Sequence, residues 1–271
     1  MQTVRVGKFD VEYLEAGTGP AVILLHSSAS GLRQWRKLVE DLRGGYRAVA
    51  VNLFGYGRTS PWPDGAAQTL GDQAALVTSV ASMIDGPVTL VGHSLGGAVA
   101  LETALHLGDR LQAVIAFEPI LFSLLETYGP ADAFAEIRNV ATRYTAWGRA
   151  GDWDRAGEWF VDYWSGAGAW SSMSEERKAG LRVMLPNVVH EWHAVISPAH
   201  PLDEWGKIAA PVHVLRAADT RYPTRAIASL LTTAHRHWRL HELEAGGHMA
   251  PLARPDLVNP LIAGILAEVT S

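Results

Sequence analysis

Cysteine is absent from the 271 residues, which excludes disulfides, thiolate metal sites and a cysteine nucleophile. No stretch approaches the roughly 20 consecutive apolar residues of a membrane helix. The N-terminal MQTVRVGKFDVEYLEAG also lacks the basic start and apolar run of a secretory leader. Positive charge is not in excess either. The 23 Lys and Arg residues are outnumbered by 28 Asp and Glu, for a formal net charge of -5, and no basic patch forms that would concentrate phosphates. The expectation is a soluble, cytoplasmic protein whose partner is a small molecule, with neither nucleic acid nor membrane. Oligomeric state is left open.

Metal and nucleotide signals are equally thin. His190 and His193 lie three apart in a helical segment, but HEWH is not a zincin HExxH and no third ligand accompanies it. His235, His237 and His241 read as a solvated face. Gly55-Tyr56-Gly57 is a tight turn, because the following Arg58-Thr59-Ser60-Pro61 does not open a helix as a pyrophosphate site requires. No metal and no cofactor is expected.

What is present is a rhythm. Strand-like runs at 4 to 6, 21 to 26, 48 to 52, 88 to 93 and 113 to 118 alternate with amphipathic segments, the pattern of a parallel sheet covered by helices on both faces. Runs such as Val22 to Leu25 are apolar at consecutive positions, as strands buried on both sides are. From 121 to 208 the texture becomes helical, without a good strand and rich in tryptophan: Trp147, Trp153, Trp159, Trp164, Trp170, Trp192 and Trp205. The strand rhythm returns at 211 to 219 and 237 to 248, and PDLVNPLIAGILAEVT closes the chain as a helix. Residues 1–120 and 209–271 are thus read as an α/β core and 121–208 as a helical cap, whose bulky side chains supply a core of their own.

One motif carries chemistry. Gly92-His93-Ser94-Leu95-Gly96 fills GxSxG between a strand, VTLVGH, and a helix, LGGAVALETALHLGD. A serine at so sharp a turn is exposed to a substrate, and the helix start behind it offers unpaired N–H groups to an oxyanion. Serine needs a base to take its proton and a third group to fix the base's tautomer. His248, on the Gly-Gly turn of EAGGHMAPLARPD, lies at the C-terminal edge of the sheet, where strand-end loops meet over one crevice. For the carboxylate, Asp219 follows the strand VHVLRA and is favoured. Glu118, which ends AVIAFE on the same edge, is the rival. The Leu95 N–H and the Ser28 N–H, in HSSAS after an early strand, are the candidate oxyanion donors. His26, Ser27, His93, Trp147, Trp159, Trp164 and Trp192 are candidate pocket residues, the tryptophans offering broad apolar contact.

Taken together, LLHSSAS, VNLFGYGRTS, VGHSLGG, LRAADTRYP and AGGHMAPLARPD, in that order, resemble the α/β-hydrolase family over nearly the whole chain outside 121–208. The resemblance implies an eight-stranded, mostly parallel sheet with a helical cap inserted after strand 6, and the triad Ser94, Asp219 and His248. The sequence departs from the family at Ser27, where glycine is common, and at Asn52, where aspartate is. The first bears on the oxyanion loop and the second on loop structure. Serine at the elbow argues against resemblance to haloalkane dehalogenases and epoxide hydrolases, which need a carboxylate there. The activity implied is serine hydrolysis of an ester or lactone of a small, partly apolar substrate through an acyl-enzyme. The alternatives are a carbon–carbon bond hydrolase, an amidase or a perhydrolase-like enzyme on the same triad, and, outside enzymes, a slow-turnover ligand receptor. An enlarged pocket with an added polar anchor would favour carbon–carbon cleavage.

Overall fold

The strands are β1 (Gln2–Val6), β2 (Phe9–Ala16), β3 (Ala21–Leu25), β4 (Arg47–Val51), β5 (Val88–His93), β6 (Leu111–Phe117), β7 (Val212–Ala217) and β8 (Arg239–Leu243). In the computed structural model, which describes residues 1–63, 65–197 and 200–270, they form one sheet in the order β1-β2-β4-β3-β5-β6-β7-β8. β2 pairs antiparallel with β1 and β4, and every other neighbouring pair is parallel. The expected eight-stranded, mostly parallel sheet is observed. β2 is a strand the sequence pattern did not disclose. Its FDVEYLEA mixes acidic and apolar residues because it lies near the edge of the sheet, only partly buried.

The helices are α1 (Arg36–Leu42), α2 (Leu70–Ser82), α3 (Leu95–Leu107), α4 (Ser123–Tyr128), α5 (Ala131–Arg149), α6 (Trp153–Ser165), α7 (Glu175–Ile196), α8 (Tyr222–Ala234), α9 (Ala250–Ala253) and α10 (Pro255–Thr270). Every residue of β3 and β5 is buried, because each face of the sheet carries helices. Ile23 and Leu25 belong to one apolar cluster with Leu76, Val99 and Ile227 of α2, α3 and α8. Val22 and Leu24 point the other way, to Leu38, Ile262 and Leu266 of α1 and α10. Successive side chains of a strand alternate faces, so a strand covered on both sides must be apolar throughout.

Helices α4 to α7 fill the interval between β6 and β7, where the sequence turns helical and tryptophan-rich; residues 198 and 199 of that interval lie outside the described residues. Asp152 and Ser174 cap α6 and α7 by accepting from the N–H groups of Arg155 and Arg177. α7 is tied to the sheet's C-terminal loops, with Asn187 Nδ2 donating to Gly55 O at 2.9 Å and Tyr56 OH donating to Glu191 Oε1 at 2.6 Å. Among the described residues no helix is long and apolar enough to cross a membrane.

Asn52, just beyond β4, shows why an amide suits that position. Its Oδ1 accepts from Leu32 N–H at 2.7 Å, and its Nδ2 donates to Glu12 Oε2 at 2.8 Å. An aspartate would offer Glu12 only repulsion.

Helix α3 presses its first turn directly on β3. A Cβ added at Gly96 would overlap the carbonyl oxygens of Leu25 and His26, backbone atoms that cannot step aside. Gly264, on the exposed side of α10, has open space around the same position. Gly96→Ala is therefore expected to lower stability by about 3 kcal/mol through overpacking. Gly264→Ala should raise it by roughly 0.5–1 kcal/mol through helix propensity. Urea unfolding midpoints of the two variants check both signs.

Candidate active site

Ser94 sits between the last residue of β5 and the first of α3, with φ 56° and ψ -117°. Among the described residues only three other than glycine have positive φ: Ala29, Ser94 and Glu118. All three are strand-end or loop positions of this one region. Backbone held in so sparsely populated a conformation persists only where its surroundings impose it. At Ser94 they do so through tight approach: a Cβ at Gly92 would run into the backbone of Gly96. The Ser94 N–H also donates to Phe117 O at 2.9 Å, fixing the turn to the end of β6.

Ser94 Oγ and His248 Nε2 are 2.9 Å apart, and His248 Nδ1 lies 2.7 Å from Glu118 Oε2. A carboxylate can only accept, so Nδ1 carries the proton and Nε2 is left to accept from the serine hydroxyl. His248 is 3 % exposed and Glu118 fully buried. The Glu118 carboxylate also accepts from Ala217 N–H at 2.9 Å and from Thr220 Oγ1 at 2.6 Å. The positive φ of Glu118 (45°) turns its side chain across the end of β7, where these donors are.

This arrangement corrects the preference for Asp219. The Asp219 carboxylate accepts instead from Gly247 N–H at 2.8 Å and, more weakly, from Gly246 N–H at 3.3 Å. It stabilises the Gly-Gly turn that carries His248 and makes no hydrogen bond to the imidazole. A second histidine steadies that turn from below. His93 Nε2 donates to His248 O at 2.8 Å while its Nδ1 accepts from Gln34 Nε2 at 3.1 Å. Burial holds His93 well below the usual histidine range, so it serves as a neutral spacer.

The candidate oxyanion donors belong to two segments, the start of α3 and the loop after β3, and Ser28 shares the cavity wall with Ser94. Leu95 is the first residue of α3, where N–H groups have no partner within the helix. In the loop after β3, Ser27 N–H donates to Gln34 Oε1 at 3.0 Å and Ala29 N–H to Tyr56 OH at 2.7 Å. Ser28 N–H, between them, is uncommitted among the described residues. The Ser27 hydroxyl donates to Gln34 Oε1 at 2.9 Å and meets Ser30 Oγ at 2.8 Å. It braces the loop, which is what the non-glycine at this position contributes.

A cavity of about 390 Å³ opens beside Ser94 and His248, within the range of small-molecule sites. Ser27, Ser28, Trp164 and Trp192 belong to its wall, together with Phe160, Leu181 and Met184 from α6 and α7. Trp164 lies over His248, with ring centroids 4.1 Å apart and planes tilted by 32°, and shields one face of the imidazole. The other proposed pocket residues are placed elsewhere. His26 is pushed down to about 4 by burial and accepts from Leu53 N–H at 3.1 Å; His93 lies beneath the His248 turn. Trp147 and Trp159 pack edge to face on one another at 5.8 Å, and Trp159 Nε1 donates to Val140 O, so these two form the helical region's own core.

One wall residue escaped the sequence reading. Glu191 on α7 is 2 % exposed, lines the cavity, and is pushed up to about 7 by burial, with the Ser28 and Tyr56 hydroxyls pulling it down. The available signal was its place on a helical stripe with Val188, Trp192 and Val195, an acid on an otherwise apolar face.

With this geometry in hand, comparison with known proteins is informative. The pattern of the family described as "Alpha/beta hydrolase family" is matched by residues 22–261. Lipase LipV of Mycobacterium tuberculosis is 26% identical over 262 residues, covering 90% of this chain and 93% of its own. The 2-hydroxy-6-oxo-6-(2'-aminophenyl)hexa-2,4-dienoic acid hydrolase of Metapseudomonas resinovorans is 32% identical over 116 residues, 41% of this chain and 40% of that protein. The chain thus spans about two fifths of the length of that relative. A thermophilic esterase from Thermogutta terrifontis superposes with a TM-score of 0.76 at 19% identity, over 100% of both chains, a likeness of fold. The family pattern spans most of the sequence and the sheet has the topology it implies: this chain belongs to the alpha/beta hydrolase family.

Proposed function

We propose that the protein is a serine hydrolase that cleaves an ester or lactone of a small, partly apolar substrate. The observation that carries this reading is the hydrogen-bonded series from Ser94 Oγ through His248 to Glu118, at 2.9 and 2.7 Å, on the wall of a largely apolar cavity. His248 takes the proton of Ser94 as its Oγ attacks the carbonyl carbon. Glu118 holds the imidazole in the required tautomer and stabilises the imidazolium that forms. The N–H groups of Leu95 and Ser28 receive the oxyanion of the tetrahedral intermediate. The imidazolium returns its proton to the leaving alkoxide as the C–O bond breaks. Water then attacks the acyl-enzyme with His248 as base, releasing the acid and restoring Ser94. The helical region over the cavity acts as its cap, and Trp164 keeps bulk water from one face of the base.

Carbon–carbon hydrolysis is the second reading, favoured by the similarity to the Metapseudomonas resinovorans hydrolase. That similarity covers 41% of this chain, whereas the similarity to Lipase LipV covers 90%, and this ranks the ester reading first.

Two experiments test the assignment. Turnover of p-nitrophenyl esters of graded acyl length should be multiple and should fall by about a million-fold in Ser94→Ala; a fluorophosphonate should label the wild type at Ser94. Absence of both turnover and label in the folded wild type would remove the serine mechanism. The identity of the carboxylate is decided separately. Glu118→Gln should lower kcat by about 10⁴-fold, as loss of the tautomer-fixing acid does. Asp219→Asn should cost about fivefold, the equivalent of about 1 kcal/mol of turn hydrogen bonding. The reverse order of effects in the kcat of purified variants would return the role to Asp219.

A further inference from the structure

One side chain stands between the loop after β3 and the turn that carries His248. Gln34 lies in the short helical turn Leu32–Trp35, which is anchored by the buried side chains of Leu32 and Trp35 and by the Leu32 N–H bond to Asn52. The half-buried Gln34 amide faces both segments. Its Oε1 accepts from Ser27 N–H at 3.0 Å and from the Ser27 hydroxyl at 2.9 Å. Its Nε2 lies 3.1 Å from His93 Nδ1, and His93 Nε2 lies 2.8 Å from His248 O.

The direction of every bond in this series is determined. A backbone N–H only donates and a carbonyl only accepts. Ser27 N–H therefore fixes the amide oxygen at one end, and His248 O requires the proton of His93 on Nε2 at the other. His93 is fully buried, and burial holds it well below the usual histidine range, so the ring is neutral and Nδ1 is an acceptor. Only a side chain that accepts and donates at once closes the gap. Glutamine does so. An ionised carboxylate has no donor for Nδ1, and an apolar side chain serves neither end.

What the series holds is the site itself. The Ser28 N–H, the proposed oxyanion donor, shares its peptide group with Ser27 O, which accepts from His26 Nδ1 at 2.8 Å. The N–H groups on either side are taken by Gln34 at Ser27 and by Tyr56 at Ala29. Ala29 has φ 54°, a conformation that persists only where its surroundings impose it. Bracing this loop alone would require an acceptor and nothing more. The donor end of Gln34 goes instead to the end of β5, beside Ser94, and through His93 to the backbone of the base.

We infer that Gln34 is a positioning residue that holds the oxyanion peptide at Ser28 and the imidazole of His248 in register with one another, with His93 as intermediary. The inference rests on the serine-hydrolase reading. The test measures kcat and KM for p-nitrophenyl butyrate between pH 6 and 9 in Gln34→Met and Gln34→Glu. Gln34→Met, of similar length, should lower kcat by about 100-fold at every pH, the cost of a misplacement of about 1 Å, with KM within about threefold of wild type. Gln34→Glu is a rescue that depends on a proton. With a proton between the carboxyl and His93 Nδ1 the series is intact; without it, two acceptors face each other. Its kcat relative to wild type should be within about threefold at pH 6 and fall by about tenfold or more towards pH 9. His248 and His26, the titratable groups that act on His93, are the same in every variant, so a new pH dependence belongs to position 34. Melting temperatures identify any loss through misfolding, and the near-isosteric Gln34→Glu keeps the test open if Gln34→Met does not fold. A kcat for folded Gln34→Met within threefold of wild type, or a Gln34→Glu ratio that stays constant with pH, would overturn the inference. Should the wild type neither turn over an ester nor accept a fluorophosphonate, the serine reading falls by itself. Nitrogen NMR of the histidine rings then decides the series: a His93 Nδ1 resonance that is flat from pH 6 to 9 in the wild type and titrates in Gln34→Glu upholds it, and a flat resonance in both ends it.

Discussion

The Glu118 carboxylate, fully buried at the end of β6, is the constraint around which the site is arranged. Taking an ionised carboxylate out of water costs several kcal/mol unless donors replace the lost hydration. Here they come from three pieces of chain: Ala217 N–H at the end of β7, the Thr220 hydroxyl in the turn that follows, and His248 Nδ1 from the loop after β8. No local segment could assemble that set. The parallel register of β6 and β7, which pairs Phe117 with Leu215, brings the strand ends level, and the left-handed backbone at Glu118 then directs its side chain sideways. The same interaction that compensates the buried charge fixes the imidazole facing Ser94.

Much of this was legible in the sequence, for physical reasons that also mark the limit. β3 and β5 could be placed because burial on both faces demands consecutive apolar residues. The Ser94 turn could be placed because only glycine fits the close approaches at 92 and 96. β2 escaped, since a partly exposed antiparallel strand carries acidic residues that blur its pattern. The choice between Asp219 and Glu118 was open for a different reason. Both end strands on the same edge of the sheet, and what separates them is a positive φ at Glu118 together with the competing demand of the Gly246 and Gly247 N–H groups for Asp219. Neither is a property of composition or spacing.

The two acids thus divide one task. Asp219 compensates the exposed N–H groups of a glycine turn, whose lack of side chains leaves its backbone loosely held, and Glu118 orients the residue that the turn delivers. His93 adds a third hold through the His248 carbonyl. The ring is consequently fixed at its side chain and at its own backbone, from β5, β6 and β7 together.

The tryptophans show a parallel division within the helical region. Bulky rings are needed there to make a core between short helices, and Trp147 and Trp159 do only that. Trp164 and Trp192 lie on the inward surface, where the core of the helical region is also the wall of the cavity. Trp159 is held in that core by its Nε1 bond to Val140 O, whereas Trp164 lies over the His248 ring. Packing of the helical region and the shape of the space beside Ser94 are therefore set by the same kind of side chain, so that a change at Trp164 alters the wall and the shielding of the imidazole together while one at Trp159 acts on packing alone.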